Sequence, residues 1–310
     1  MRATLPNSFW RDVRFWRFAG QAIALVLVLL VLSYFGNNIN QNLQRLGIRL
    51  GFGFLNSQAG FSIGDSPIPY QPSDSYSRAL LVGLVNTLRV VIVGIVLATI
   101  VGIVAGLARL SDNWLVRNLA RVYVETLRNT PLLLQLFFWY FAVFFSLPPA
   151  DSPIRWLGGV LTLSKNGIGL GDLRLSSEFS ALLLGLTIYT ATFIAEIVRG
   201  GIQSVPKGQW EAAKSLGLKP QQVMSLVIFP QALRAIIPPL SNQYLNLAKN
   251  SSLAIAIGFS DLYAVSSTTF NQTGRAVEVM ILICATYLSI SLLISLLMNL
   301  YNRAVQIPER

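Results

Sequence analysis

The chain has 310 residues, 53% of them hydrophobic and 12% charged, and its 24 Lys plus Arg against 13 Asp plus Glu leave a net charge of +11. Mean hydropathy is +0.57, well above that of a soluble globular domain. With no His and one Cys, Cys284, the sequence excludes His- or Cys-based metal centres, His-containing catalytic triads and an internal disulfide.

A membrane crossing takes about 20 mostly apolar residues. Phe18 to Gln44 carries no charge, and its centre, IALVLVLLVL, follows Arg11, Arg14 and Arg17 as a signal peptide would. No small-residue cleavage pattern follows, so the segment reads as an uncleaved anchor over 18–36, between a cytoplasmic stretch 1–17 and an outer loop 37–78. A core then extends over 79–302, ahead of a tail 303–310. Its spans are Val90–Ala108 (starting near Leu80, with Arg89 inside), Thr130–Leu147, Phe179–Ala195, a fifth after Pro230, and the uncharged Val279–Asn302. The fifth contains Arg234, Pro238, Pro239, several Asn and Gln, and Lys249. Such a segment cannot face lipid and belongs inside a bundle or beside a pathway. The glycines of the second span, Gly83, Gly94, Gly102 and Gly106, mark close helix packing.

Basic residues near span ends orient the chain. With the N-terminus in the cytoplasm, inner segments hold thirteen Lys or Arg and outer loops seven. Both termini then lie inside, the net charge is a topology signal, and nucleic acid is not a partner. The larger outer loops, Gly36–Ser77 and Pro148–Ser177, are too short to form domains. The expected class is an all-α membrane protein of about six transmembrane helices, an N-terminal span plus a five-helix core.

One inner connection, 204–230, is more than a linker. Ser204 and Pro206 suit a helix start. Trp210, Ala213 and Leu216 fall on one stripe, with Glu211 and Lys214 opposite. Gly217 suits a left-handed stop, and Pro230 is expected to break the chain where it re-enters the membrane. A short cytoplasmic helix with small alanines and a Trp anchor fits a groove on another protein.

Here a resemblance enters. Glu211-Ala212-Ala213, then Gly217 after three residues, then VIFP ending at Pro230 after nine more, resembles the EAA loop of ATP-binding-cassette importer permeases. ETLRNTPLLLQLFFWY (125–140), FIAEIVRGGIQSVPKGQWEAA (193–213), LNLAKNSSLAIAIGFSDL (245–262) and NQTGRAVE (271–278) are similar to polar amino acid permeases, closest to the general L-amino acid branch. The resemblance implies a type I importer fold in a bacterial inner membrane. It also implies a periplasmic amino acid-binding protein, two ATPase copies carrying ATP and Mg, and a homologous second permease, the mixed pair being favoured. Trp210, Glu211, Ala212, Ala213, Leu216 and Gly217 would form the coupling helix. No phosphate-binding G-x-x-x-x-G-K-[ST] loop occurs, so the chain itself is not the ATPase.

Ionisable residues at membrane depth are functional candidates. Glu125 with Arg128, and Glu196 with Arg199, stand three apart and read as structural ion pairs; Arg89 snorkels and Arg234 anchors at the boundary. Lys249, Asn250, Ser251 and Ser252 offer donors to a substrate carboxylate, and Gln272 or Glu278 an acceptor to its ammonium. Lys249 pairing with an acid to hold the bundle is the competing expectation. The rival functions are an ATP-independent transporter or channel and, more remotely, a membrane-embedded enzyme.

Overall fold

A computed structural model describes residues 13–45 and 51–305. The expectations for 1–12, 46–50 and 306–310, which include Arg2, Arg11, Arg49 and Arg310 of the orientation count, lie outside the described residues. The chain divides into Met1–Phe52 and Gly53–Arg310.

Within the first unit the described residues include the helix α1, Val13–Arg45. It continues past the expected anchor end at residue 36, because the uncharged polar run from Asn37 contains neither Pro nor a further Gly to stop it.

The second unit is built on α2 (Tyr76–Ala108), α5 (Ser177–Gln203), α8 (Phe229–Asn250) and α10 (Ala276–Val305). Among the described residues five helices are long and apolar enough to cross a membrane, and six if one pair bent by 105° counts as a single span. That pair is α3 (Trp114–Arg128) and the segment Leu132–Ser146, which begins with α4 (Leu132–Phe137). Pro131 disfavours helical geometry at Thr130 and ends α3. The buried Gln135 then fixes the corner, its Nε2 donating to the carbonyls of Leu127 at 2.8 Å and Thr130 at 3.0 Å.

The α2–α5 crossing is close. A Cβ on Gly102 would stand 2.6 Å from Ile194 Cβ, and one on Gly106 2.8 Å from the Ala195 carbonyl oxygen. Small residues let helix backbones approach in this way, which bears out the packing role expected of Gly102 and Gly106, whereas Gly94 has room for a methyl.

The loop Pro148–Ser177 is not irregular throughout. Residues 154–176 form a four-stranded antiparallel meander: β1 (Ile154–Trp156), β2 (Leu161–Ser164), β3 (Gly167–Leu170) and β4 (Leu173–Ser176). β4 runs directly into α5, whose far end leads into the short helix α6 (Lys207–Ser215). Sheet and α6 therefore sit at opposite ends of one membrane-crossing helix. One apolar cluster, including Phe144, Phe179 and Leu182, fills the sheet end. Another, including Ile194, Ile202, Ala213 and Ile228, fills the α6 end.

The chain re-enters the membrane through α7 (Pro220–Gln222) and a π-helical turn, Val223–Ile228, and continues without a break into α8. Pro230 was expected to interrupt this segment. Instead it sits just after the π-helical turn, where its missing N–H removes one helical hydrogen bond without ending the helix. Pro238 and Pro239 do lie inside α8 and leave the carbonyls of Arg234 and Ala235 without helical donors. The helix α9 (Leu262–Thr273) follows a 3-10 turn, Ser251–Ile257, and was not anticipated from the sequence.

Candidate functional site

α6 has two faces with different fates. Ala213 is buried, and Trp210 packs against the cluster it belongs to, beside Leu218, Met224 and Val227. These residues hold α6 to its own chain, and Trp210, half-buried, keeps part of its surface exposed. Glu211, Ala212, Lys214 and Leu216 face outward, Leu216 with 80% of its surface exposed.

The end of α6 is fixed by a Schellman arrangement. Gly217 N–H donates to Lys214 O at 2.9 Å and Leu218 N–H to Ala213 O at 3.4 Å, with Gly217 at φ +75°. The start differs from expectation. Ser204 closes α5, its hydroxyl donating to Gly201 O at 2.7 Å, and Pro206 precedes α6 without a side-chain cap. Gln231 ties α6 to the following span by donating to Gln209 Oε1 at 3.2 Å. An open cavity of about 540 Å³ lies between them, lined by Val205, Gln209, Leu226, Pro230 and Arg234 among others.

That span carries the second feature. Arg234, Pro238, Asn242, Asn246 and Lys249 are all exposed, and their spacing puts them in one sector of α8. Lys249 makes no ion pair with any described residue, so no bundle-holding pair forms among the described residues. Its neighbours contribute less than expected. Ser251 donates to Ala248 O and Ser252 to Lys249 O, each at 2.8 Å, so both hydroxyl protons turn into their own helix. Lys249 and Asn250 remain as donors. The expected acceptors are engaged as well. Gln272 Oε1 accepts from Tyr76 Oη at 2.9 Å, and the buried Glu278 carboxylate is paired with Arg275 at 3.3 Å.

Glu196 and Arg199 form the expected pair at 2.8 Å, and Arg109 at the end of α2 joins them by pairing with Glu196. Burial and then the Arg199 charge lower the Arg109 pKa from its ordinary value, although a guanidinium stays charged. Glu125 does not pair with Arg128. It takes Arg121, one turn earlier, at 2.8 Å, and Arg109 at 3.9 Å. Arg128 lies over the Phe193 ring at 5.2 Å, a cation–π contact. Arg89 is likewise no free snorkelling residue, since it pairs with Asp65 at 3.2 Å and sits 4.8 Å above the Phe179 ring.

Sequence reasoning missed a buried polar knot between α2 and α9. Asn86 Nδ2 donates to the carbonyls of Asp65 at 2.7 Å and Ser260 at 2.9 Å. Thr87 Oγ1 accepts from Leu262 N–H at 3.0 Å. Asp261 caps α9 by accepting from Ala264 N–H at 2.8 Å and receives the Tyr287 hydroxyl at 3.2 Å. The available signal was the Asn86-Thr87 pair inside an apolar run, because buried polar side chains need partners.

Residues 79–307 match the family described as "Binding-protein-dependent transport system inner membrane component". The chain belongs to this family and is a permease subunit of an ABC importer. It is 42% identical to the general L-amino acid transport system permease protein AapQ of Rhizobium johnstonii, over 94% of this chain and 92% of that protein. It is 37% identical to the glutamate/glutamine/aspartate/asparagine transport system permease protein BztB of Rhodobacter capsulatus, over 96% of each. Among solved structures it is similar to a chain of an amino acid ABC transporter crystallised with histidines, at 30% identity and TM-score 0.59 over 74% of this chain and 95% of that one. A chain of the MetNI methionine ABC transporter in an inward-facing form shares the fold, at 20% identity and TM-score 0.57 over 74% and 97%.

Proposed function

We infer that the chain carries amino acids across the bacterial inner membrane as one of two permeases in an ATP-driven importer, with its termini in the cytoplasm. The observation that carries this reading is the attachment of an outward-facing helix to the polar span. Ala213, Trp210 and Gln209 hold α6 against the segment that becomes α8, and α8 bears the exposed row ending at Lys249. A push on the free face of α6, from Glu211 to Leu216, reaches that row through packed contacts. ATP and Mg belong to the partner ATPase, of which two copies serve the complex. A periplasmic binding protein delivers the solute, and closure of the ATPases favours one of two permease states. The polar row of α8 meets a second permease across the path, a related chain in this reading rather than a second copy. The AapQ and BztB names support amino acids as the cargo class.

Vesicles containing this permease, its partner permease, the ATPase and the binding protein are expected to accumulate amino acid only with ATP. In a Cys284→Ser background, a crosslinker at Ala212→Cys is expected to capture the ATPase. Uptake by the chain alone, or capture of no ATP-hydrolysing subunit, would overturn the assignment.

Lys249 and Asn250 are the proposed pathway donors for the substrate carboxylate. Losing one charge-assisted hydrogen bond costs about 1.5–3 kcal/mol. Lys249→Ala is therefore expected to lower uptake by about tenfold to a hundredfold, while the complex purifies intact and binding protein still stimulates ATP hydrolysis. Failure of the complex to assemble would instead make Lys249 a contact between subunits.

A further inference from the structure

The meander of β1 to β4 has a pattern that the transport reading does not use. Its register places Trp156, Leu161, Leu170 and Leu173 side by side in one row and Ile154, Leu163, Ile168 and Leu175 in the next. Side chains two apart share a face of a strand, so both rows lie on the same side and that side is wholly apolar. The other side carries Arg155, Thr162, Gly169 and Arg174.

Only part of the apolar side is covered by the chain itself. Ile168 and Leu175 pack with Leu147, Phe144 and Phe179 at the sheet end of the bundle. The outer row stays bare, with Trp156 60%, Leu173 54% and Leu170 45% exposed, and Leu157 and Val160 in the β1–β2 connection are exposed too. Single exposed apolar side chains are ordinary, whereas a contiguous face of them marks a contact.

We propose that this apolar face rests on the lipid surface at the end of the bundle where α5 begins, with Arg155 and Arg174 turned toward water and the lipid phosphates. Three observations select lipid as the occupant. The first is height: β4 ends at Ser176 and α5 starts at Ser177, and Lys165 N–H donates to Pro148 O at 2.9 Å. The sheet is thus pinned to two successive membrane segments at the level where they leave the bilayer. The second is continuity, because the preceding segment already presents Phe138, Phe141 and Phe145 outward. The apolar face extends that belt beyond the end of the helix. The third is chemistry. Tryptophan at the boundary with nearby arginines is the composition that suits the headgroup layer, and arginine stems are long enough to bring their charge back to phosphate from the opposite side of a thin sheet. In the orientation proposed above this is the outer leaflet. The contact does not depend on which solute is carried.

The experiment uses the complete importer in vesicles of phosphatidylethanolamine and phosphatidylglycerol, in a Cys284→Ser background. Nitroxide labels are placed singly at Leu173→Cys, Trp156→Cys and Arg155→Cys, and collision with oxygen is compared with collision with a water-soluble nickel chelate. Immersion is expected at Leu173 and Trp156, with oxygen favoured over nickel, and the reverse is expected at Arg155. Nickel access at Leu173 and Trp156 equal to that at Arg155 would show a sheet standing free in water and overturn the proposal. Shielding of Leu173 and Trp156 from both reagents would overturn it as well, because the face would then be covered by the second permease or the binding protein. The two apolar sites lie on opposite edge strands, β4 and β1, so the outcome does not rest on one variant folding.

Discussion

Gly217→Val is expected to abolish ATP-driven uptake while the spans still insert and the partner ATPase still turns over. Nothing lies within 4 Å of a Cβ built on Gly217, so the substitution meets no steric obstacle. Its effect is confined to the backbone, which stands at φ +75°, a region that a β-branched residue occupies only under strain. Strain of this kind costs about 1–3 kcal/mol, comparable with the two terminal hydrogen bonds that Gly217 and Leu218 make to Lys214 and Ala213. The cheapest relief is to unwind the end of α6, which frees Glu211 and Leu216 from their fixed placement relative to α8. Gly217→Asn is the control, since Asn tolerates the left-handed region, and it should retain most uptake. Glu211→Lys reaches the same end from the other side of the contact. Glu211 is exposed on α6, so reversing its charge leaves the fold alone and opposes docking. Labelled amino acid uptake and ATPase rate in the same vesicles separate uncoupling from collapse. Normal uptake in both Gly217→Val and Glu211→Lys would remove α6 from the coupling route.

Gly102→Ala is expected to destabilise the assembled complex by about 1–3 kcal/mol, the range for overpacking a tight interior. The added methyl would stand 2.6 Å from both Cβ and Cγ2 of Ile194 and 3.1 Å from the Ala191 carbonyl oxygen. Ile194 is fully buried and branched at the contacting atom, so it cannot swing aside, and α2 must move off α5. Gly94→Ala supplies the comparison. Its methyl would meet the flexible side chains of Leu247 at 3.4 Å and Leu183 at 3.8 Å, ordinary contacts, and it should change little. Thermal unfolding of the detergent-solubilised complex, followed by loss of the intact peak on size exclusion, measures both. Equal stability of the two variants would show that the crossing is looser than 2.6 Å implies.

The apolar spans were legible because lipid imposes one requirement on long uninterrupted stretches, and α2, α5 and α10 meet it in composition alone. The polarity of the fifth span also carried through, as the exposed row from Arg234 to Lys249. Features decided by choice between equivalent partners were not legible. Glu125 has Arg121 four residues before it and Arg128 three after; both spacings are competent in a helix, and the Phe193 ring that draws Arg128 away is distant in sequence. An amphipathic pattern likewise shows that α6 buries a stripe without saying whose groove receives it. Trp210 and Ala213 went to the chain's own core. The meander escaped notice because its strands are three or four residues long, too short for alternation to stand out. Asp261 lies in the connection that follows the fifth span, and only the tertiary fold brings Tyr287 to it.

The exposed row on α8 has a consequence for the life of the polypeptide. A cationic side chain facing hydrocarbon costs about 2.5–3.5 kcal/mol on insertion scales, and Arg234, Asn242, Asn246 and Lys249 all stand uncovered in one chain. An orphan copy is thus a poor tenant of the bilayer, one that surveillance proteases can recognise as incomplete. If a second permease covers the row, as proposed above, abundance of the protein is expected to fall when that counterpart is not synthesised beside it.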